Sequence, residues 1–244
     1  DNSMIPGAKL VRTNLMAKAV SKFGEGDRWS LDTKIQYTNA KANNRTIGGP
    51  NGSNPFYLLN LMPRSLDVTQ FRNSVDANGN MIWYGTGSGI NPYWGYQYNL
   101  NEDERDRIMM NGSLKYEIAS WLTGQINAGA DIYTNNSNAR TYSGSPLTPT
   151  GRYSLGKNTF TETNFQALFI AKKDDLFGKF GGMATLGGNL MDRQSSSISG
   201  SAGQLVVPNL FALNNAVGNP TVGEGYSQKA INSVFGSAQL NYDG

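Results

Sequence analysis

Strict alternation of apolar and polar side chains is the feature that most constrains this chain. In the stretch RWSLDTKIQYT (28–38), the odd positions from Trp29 to Tyr37 are mostly apolar or aromatic, whereas the even positions are all polar. Because successive side chains of a strand point to opposite faces, this stretch predicts a strand with one apolar and one polar face. The apolar face would lie against the core of a soluble sandwich or against the lipid around a membrane barrel.

The same alternation recurs along the chain and predicts an all-β protein of about seven antiparallel strands. Segments 107–118 and 122–134 form a predicted hairpin joined at Ala119 and Ser120, and the pattern returns in 179–190 and 230–242. Segments 8–20 and 160–172 are predicted as strands with mixed faces. No segment shows a helical period, which leaves room only for short helical turns within the loops.

The connections between these strands alternate in length. Short turns are predicted at 21–27, 119–120 and 173–178, and long loops at 40–105, 135–158 and 193–228. Short turns at one end and long extracellular loops at the other are typical of transmembrane barrels, as are strands of about ten residues. Seven strands do not match the even strand number of such barrels. Residues 1–244 are therefore predicted to be one part of a larger barrel domain.

The aromatic residues fit two girdles, one at each membrane interface. Trp29, Tyr116 and Trp121 lie near the short turns, and Tyr37 and Tyr133 lie towards the long loops.

Composition excludes several function classes. The chain has no cysteine and no histidine, which excludes disulfides, thiolate metal sites and histidine-dependent catalysis. The net charge of +3 is too small to indicate nucleic-acid binding. No run of 18 apolar residues predicts a transmembrane helix, and the start DNSMIPGAKL is not a signal peptide. We expect no enzymatic activity, no cofactor and no metal.

Several segments resemble the SusC/RagA family of TonB-linked outer-membrane transporters. The segment NPYWGYQYNLNEDERDRIMMNGSLKYEIASWL (91–122) is similar to a loop of that family that leads into a strand ending at a short turn before Trp-Leu. Three further segments resemble the family in the same order along the chain, at 54–73, 187–216 and 231–244.

The resemblance implies that the chain is a middle portion of a plugged barrel of about 22 strands. The plug and the TonB-contacting segment would lie outside the chain. It also implies import of bulky nutrients across the outer membrane of a Gram-negative cell, together with a SusD-like surface lipoprotein that acts as a lid. The interspersed charges of the predicted lumen face favour neutral or mixed-charge polymers, either oligosaccharides or oligopeptides.

The loop MIWYGTGSGINPYWGYQY (81–98) is the candidate substrate site because aromatic side chains stack on sugars and pack on peptides. Its candidate residues are Trp83, Tyr84, Tyr93, Trp94 and Tyr96. Packing of these rings within the loop is the alternative. The segment DANGN (76–80) has the acidic spacing of a calcium loop but lacks the glycine and the closing glutamate, so an Asn-Gly turn in a small hairpin is predicted.

Two other functional classes remain open at this point. A surface adhesin or binding module built from β-sandwich domains would also show alternation, and would be soluble without detergent. A barrel enzyme, such as an outer-membrane protease or lipase, is disfavoured by the missing histidine.

Overall fold

A single antiparallel sheet of seven strands makes up most of the chain. The computed structural model describes residues 6–85 and 89–242. Each strand is hydrogen-bonded to the next along the chain, so the sheet is an up-and-down meander. This confirms the prediction of an all-β chain with seven antiparallel strands. The strands are β1 (Lys9–Phe23), β2 (Trp29–Asn43), β3 (Asn99–Ala119), β4 (Leu122–Thr141), β5 (Arg152–Phe177), β6 (Phe180–Gln204) and β7 (Thr221–Tyr242).

The strands are longer than alternation predicted, and the connections are correspondingly shorter. The short turns occupy 24–28, 120–121 and 178–179, and the long connections occupy 44–98, 142–151 and 205–220. The predicted loops 40–105, 135–158 and 193–228 therefore include the ends of paired strands. The last residues of β4, for example, are polar on both faces. They carry no hydrophobic period, although their backbone stays paired with β3 and β5.

Two short helices lie in connection 44–98, and both begin at an Asn-Pro pair. They are α1 (Pro55–Leu61) and α2 (Pro92–Tyr98). Asn54 accepts a hydrogen bond from the N–H of Phe56 (3.1 Å), and Asn91 accepts one from Tyr93 (2.9 Å). An asparagine N-cap followed by proline at the first helical position satisfies the free N–H groups and fixes φ. The local sequence therefore explains where both helices begin.

The buried core lies at the end of the sheet that carries the long connections. Its apolar members are Ala42, Leu58, Ile90, Trp94, Ala202 and Leu205. Across residues 6–85 and 89–242, all seven strands belong to one sheet and no second sheet covers it. The β-sandwich alternative is therefore wrong for this part of the chain. Within those residues, neither helix is long enough to cross a bilayer.

Candidate functional site

One face of the sheet, here called the apolar face, carries large apolar side chains that remain exposed. Residues paired directly across strands share a face, so the register assigns them. Ile126 lies opposite Leu114 on β3 and Ala167 on β5. Leu186 is 61% exposed and Val234 83% exposed. Since exposing apolar surface to water costs about 25 cal/mol per Å² relative to burial, this face requires an apolar environment.

Two aromatic ladders border the apolar face at the end with the short turns. Trp29 contacts Tyr116 with ring centroids 4.4 Å apart, and Phe180 contacts Tyr242 at 5.0 Å. The first ladder is Phe23, Trp29 and Tyr116 across β1–β3, and the second is Phe177, Phe180 and Tyr242 across β5–β7.

The offset between the two ladders gives a strand tilt. The register carries the row of Trp29 and Tyr116 across to Leu186 on β6, which lies six residues from Phe180. Six residues span about 20 Å along a strand, and four strand spacings span about 19 Å. The two ladders therefore lie at the same height along a barrel axis if the strands are tilted by about 45° from that axis. This tilt is the upper end of the ~35–45° range of transmembrane barrels.

The border of the apolar face at the end with the long connections is displaced along successive strands in the same way. On β2 and β3 it follows Tyr37 and Ile108, and the next residues on this face are Asn39 and Asp106, which hydrogen-bond to each other at 2.9 Å. On β6 the continuous apolar run ends at Leu190, because Asp192, Gln194 and Ser196 follow on this face before Ile198. Leu190 lies four residues from the row of Tyr37. That offset corresponds to a tilt of about 35°. Along β6, the ten residues between the two borders give a band about 25 Å tall after tilting.

The other face, here called the polar face, carries a network of side-chain amides. Gln125 donates to Ser113 (3.2 Å) and to Asn127 (2.7 Å), and Asn127 donates to Gln166 (2.9 Å). Ser113, Asn127 and Gln166 line a concavity of about 510 Å³ on the polar face, together with the charged side chains Lys18, Asp32 and Lys34. Uncharged amides present both donors and acceptors, so this surface suits hydroxyl-rich or amide-rich ligands.

A larger concavity of about 1010 Å³ is lined mainly by residues of the apolar face, several of which have small side chains. Among them are Ala17, Ala19, Gly112, Ala128 and Ala130. Because a surrounding apolar medium would cover this face, we do not assign a ligand to it.

Ion pairs and stacked rings cross the polar face nearer to the long connections. Arg107 holds both oxygens of Asp131, at 2.7 and 2.6 Å, and Arg193 binds Glu162 at 2.7 Å. Each pair is partly exposed and worth about 0–1 kcal/mol for stability.

Tyr133 lies on the polar face, so its predicted place in a lipid-facing girdle is wrong. It pairs directly with Arg107 on β3 and with Phe160 on β5. The physical reason is parity, because Tyr133 is an odd residue on a strand whose even residues are apolar. Tyr37, by contrast, lies on the apolar face at its border and donates its hydroxyl hydrogen to Asp106.

The three long connections pack together into one layer, here called the loop cap. Met81 donates its N–H to the carbonyl of Gly144 (2.8 Å), which joins connection 44–98 to 142–151. Ser143 donates its N–H to the side chain of Asn209 (2.8 Å), and Leu205 donates to Thr150 (3.2 Å). These bonds join 142–151 to 205–220. The loop cap is therefore built across connections that are far apart in sequence.

Asn91 is the polar centre of the first connection. It is fully buried, and its amide donates to the carbonyls of Phe71 (2.9 Å) and Ile82 (2.8 Å) while its oxygen caps α2. Three interactions of one buried side chain thus fix α2 against the segments before it.

The five predicted aromatic residues divide into two groups. Trp94 is 1% exposed and contacts the ring of Tyr98 (4.3 Å), so it packs inside the loop cap and has no surface for a ligand. The other four are half-buried: Trp83 contacts Tyr84 (4.7 Å), and Tyr93 contacts Tyr96 edge to face (6.0 Å). Of the five predicted rings, these four therefore keep part of their surface exposed.

The segment DANGN forms a hairpin turn, as predicted. Val75 and Met81 form an antiparallel bridge, and Gly79 adopts a φ of 83°, which favours glycine. Backbone N–H groups donate to the Asp76 carboxylate, that of Asn80 foremost, and hold its pKa below the ordinary value. Within the part of the chain that the structure describes, no group of acidic residues could hold a metal ion.

Comparison with known proteins identifies the fold. No family model matches the chain, and no curated protein matches it. The structure of the RagAB peptide transporter matches with a TM-score of 0.72 at 20% identity, over 97% of this chain and 26% of that one. The RagAB peptide importer matches in its "closed-closed" state (TM-score 0.71, 19% identity) and its "open-open" state (0.69, 20%) over the same shares.

This likeness confirms the predicted fold class. The seven-stranded sheet has the fold of a β-barrel segment. The chain spans about a quarter of the length of the chains it matches.

Proposed function

We propose that the chain forms part of the wall of an outer-membrane transporter of the SusC/RagA type, which imports bulky nutrients. The observation that carries the proposal is the contrast between the two faces of one sheet. The apolar face has a band about 25 Å tall with aromatic borders, which suits lipid, and the polar face has an amide network, which suits a wet lumen. In this arrangement the long connections lie outside the cell.

Oligopeptides are the nutrient class we favour over oligosaccharides. The solved structures with a similar fold are of a peptide transporter. Amide side chains of the polar face can bind peptide N–H and C=O groups in succession without selecting a side chain. Trp83, Tyr84, Tyr93 and Tyr96 would supply further contacts at the entrance, since they are half-buried and not enclosed.

The loop cap is the proposed docking surface for a SusD-like lipoprotein lid. It exposes large apolar side chains on α1 and on connection 205–220. Phe56 is 50% exposed and Val206 62% exposed. Exposed apolar patches on a soluble surface mark sites of protein association. Energy from TonB would enter through a region outside this chain.

A growth experiment tests the import function. Cells that lack the gene should grow normally on free amino acids and fail on oligopeptides as the sole nitrogen source, and the intact gene should restore growth. Purification from detergent-solubilised outer membranes, followed by mass spectrometry, should recover the lipoprotein and bound peptides. Recovery of the barrel alone, or with a small iron chelate, would contradict the proposal.

A further inference from the structure

Four side chains from four neighbouring strands form a continuous stack on the polar face. Tyr133 of β4 and Phe160 of β5 stack with centroids 4.8 Å apart and planes 15° from parallel. The guanidinium of Arg105 on β3 lies 4.9 Å from the centroid of Tyr133, and that of Arg193 on β6 lies 5.6 Å from the centroid of Phe160. The rings hold each guanidinium by cation–π attraction.

The carboxylates around Arg105 are already engaged by other arginines. Asp103 precedes Arg105 by two residues on the same face and binds Arg45 through both oxygens. Arg107 follows by two residues and holds Asp131. Glu162 is held by Arg193. In residues 6–85 and 89–242, no carboxylate lies within ion-pair distance of Arg105.

The direct neighbours of Arg105 across the sheet are uncharged. Ala40 lies opposite it on β2 and Asn135 on β4. The acidic residues next to it in sequence, Glu104 and Asp106, point to the other face because strand side chains alternate. The Arg105 side chain itself is exposed. Its donors therefore face open space beside a fixed aromatic ring.

We propose that Arg105 is an anchor for the carboxylate groups of a peptide ligand. The inference rests on the proposed import function and adds a specific chemical contact to it. A planar guanidinium matches a carboxylate with two parallel hydrogen bonds, and its stacking on Tyr133 reduces the side-chain freedom lost on binding. Arg105 lies on β3 just beyond the border at Tyr37 and Ile108, which places it towards the end of the polar face that carries the long connections.

The test measures peptide binding to the native protein that contains these residues, purified in detergent. The probes are two N-acetylated pentapeptides of identical sequence, one with a free C-terminal carboxylate and one with a C-terminal amide. Loss of a charge-assisted pair should make Arg105→Gln bind the carboxylate peptide about 10- to 100-fold more weakly. Its affinity for the amide peptide should be unchanged. Arg105→Lys should restore only part of the loss, because an ammonium cannot bind in two-point fashion.

Arg12→Gln is the matched control. Arg12 lies in the same row of the polar face, opposite Ala40 on the other side from Arg105. Among the described residues, no aromatic ring lies within cation–π distance of Arg12. If Arg12→Gln and Arg105→Gln weaken binding of the carboxylate peptide equally, the Arg105 site is wrong, since the overall positive charge of the polar face would then explain the binding. Equal weakening of both peptides by Arg105→Gln would likewise overturn it.

The same titrations separate this inference from the import function. If the unaltered protein binds the acid and the amide peptide equally well, the Arg105 anchor is wrong while peptide import stands. If it binds neither peptide, the proposed substrate class fails as well.

Discussion

Replacing Ile126 by arginine should destabilise the protein strongly because Ile126 lies near the middle of the apolar band. On β4 the band runs from Leu122 to Ile132, and Ile126 is within about one residue of the midpoint. One residue corresponds to about 2–3 Å of depth at the tilt of the strands. Arginine at the midplane of a transmembrane barrel costs about 2–4 kcal/mol, which is a ~30- to 900-fold change in the folding equilibrium.

The neighbouring position provides a matched control. Gln125 is adjacent in sequence but lies on the polar face, where it donates to Ser113 and Asn127. Arginine can still donate hydrogen bonds there, and its charge would face water, so Gln125→Arg should cost less than about 1 kcal/mol. A second variant, Ile132→Arg, sits at the border of the band and should cost about 0–1 kcal/mol.

The assay is reversible folding of the native protein into lipid vesicles, with the folded fraction followed against urea concentration. The order of destabilisation should be Ile126→Arg, then Ile132→Arg, with Gln125→Arg smallest or equal to the border variant. If Ile126→Arg folds as well as Gln125→Arg, the apolar face does not meet lipid. The tilt deduced from the two aromatic ladders would then be wrong as well.

Three further predictions follow from the loop cap and the turns. An epitope tag at Asn51 should be labelled on intact cells and one at Ser120 should not, and the reverse result would invert the topology. Trp94→Ala should cost about 3–5 kcal/mol in a fully buried site and make connection 44–98 sensitive to protease, whereas Tyr93→Ala should leave protease resistance intact and weaken ligand binding. The pKa of Asp76 is lowered in the folded turn, so the stability that its carboxylate gives the turn is present above the ordinary carboxyl pKa and is lost as pH falls through the lowered value. Spectroscopic titration of the turn should therefore show no change between about pH 5 and 8. A transition in that range would refute the hydrogen-bonded Asp76 carboxylate.

Alternation predicted the strands well where one face meets an apolar medium. Segment 28–38 and segment 122–134 both show it, and the register pairs their apolar residues as expected. The signal fails beyond the band, where both faces of a strand are wet. Strand ends such as that of β4 are held by backbone pairing and by polar contacts such as Asn138 with Glu102, and neither produces an alternation of apolar and polar side chains.

The candidate site was less predictable, for two physical reasons. Burial of Trp94 depends on contacts with Tyr98 and on the packing of three connections, and no local pattern encodes this. The stack of Arg105, Tyr133 and Phe160 depends on register between strands. Parity alone would have placed Tyr133 on the polar face, but its partner on β5 requires knowledge of the pairing. The two helices were detectable, since Asn-Pro marks the start of each.

The proposed role as a barrel wall requires that both edges of the sheet be paired. The described strands pair in order from β1 to β7, so β1 and β7 each pair on one side only. In a hydrocarbon layer, every unpaired N–H and C=O costs several kcal/mol, and open sheet edges are not tolerated there. Both edges must therefore pair with further strands when the apolar face meets lipid. Closure would also turn the polar face into the lining of a lumen, which is the condition under which the amide network and Arg105 can meet a passing peptide.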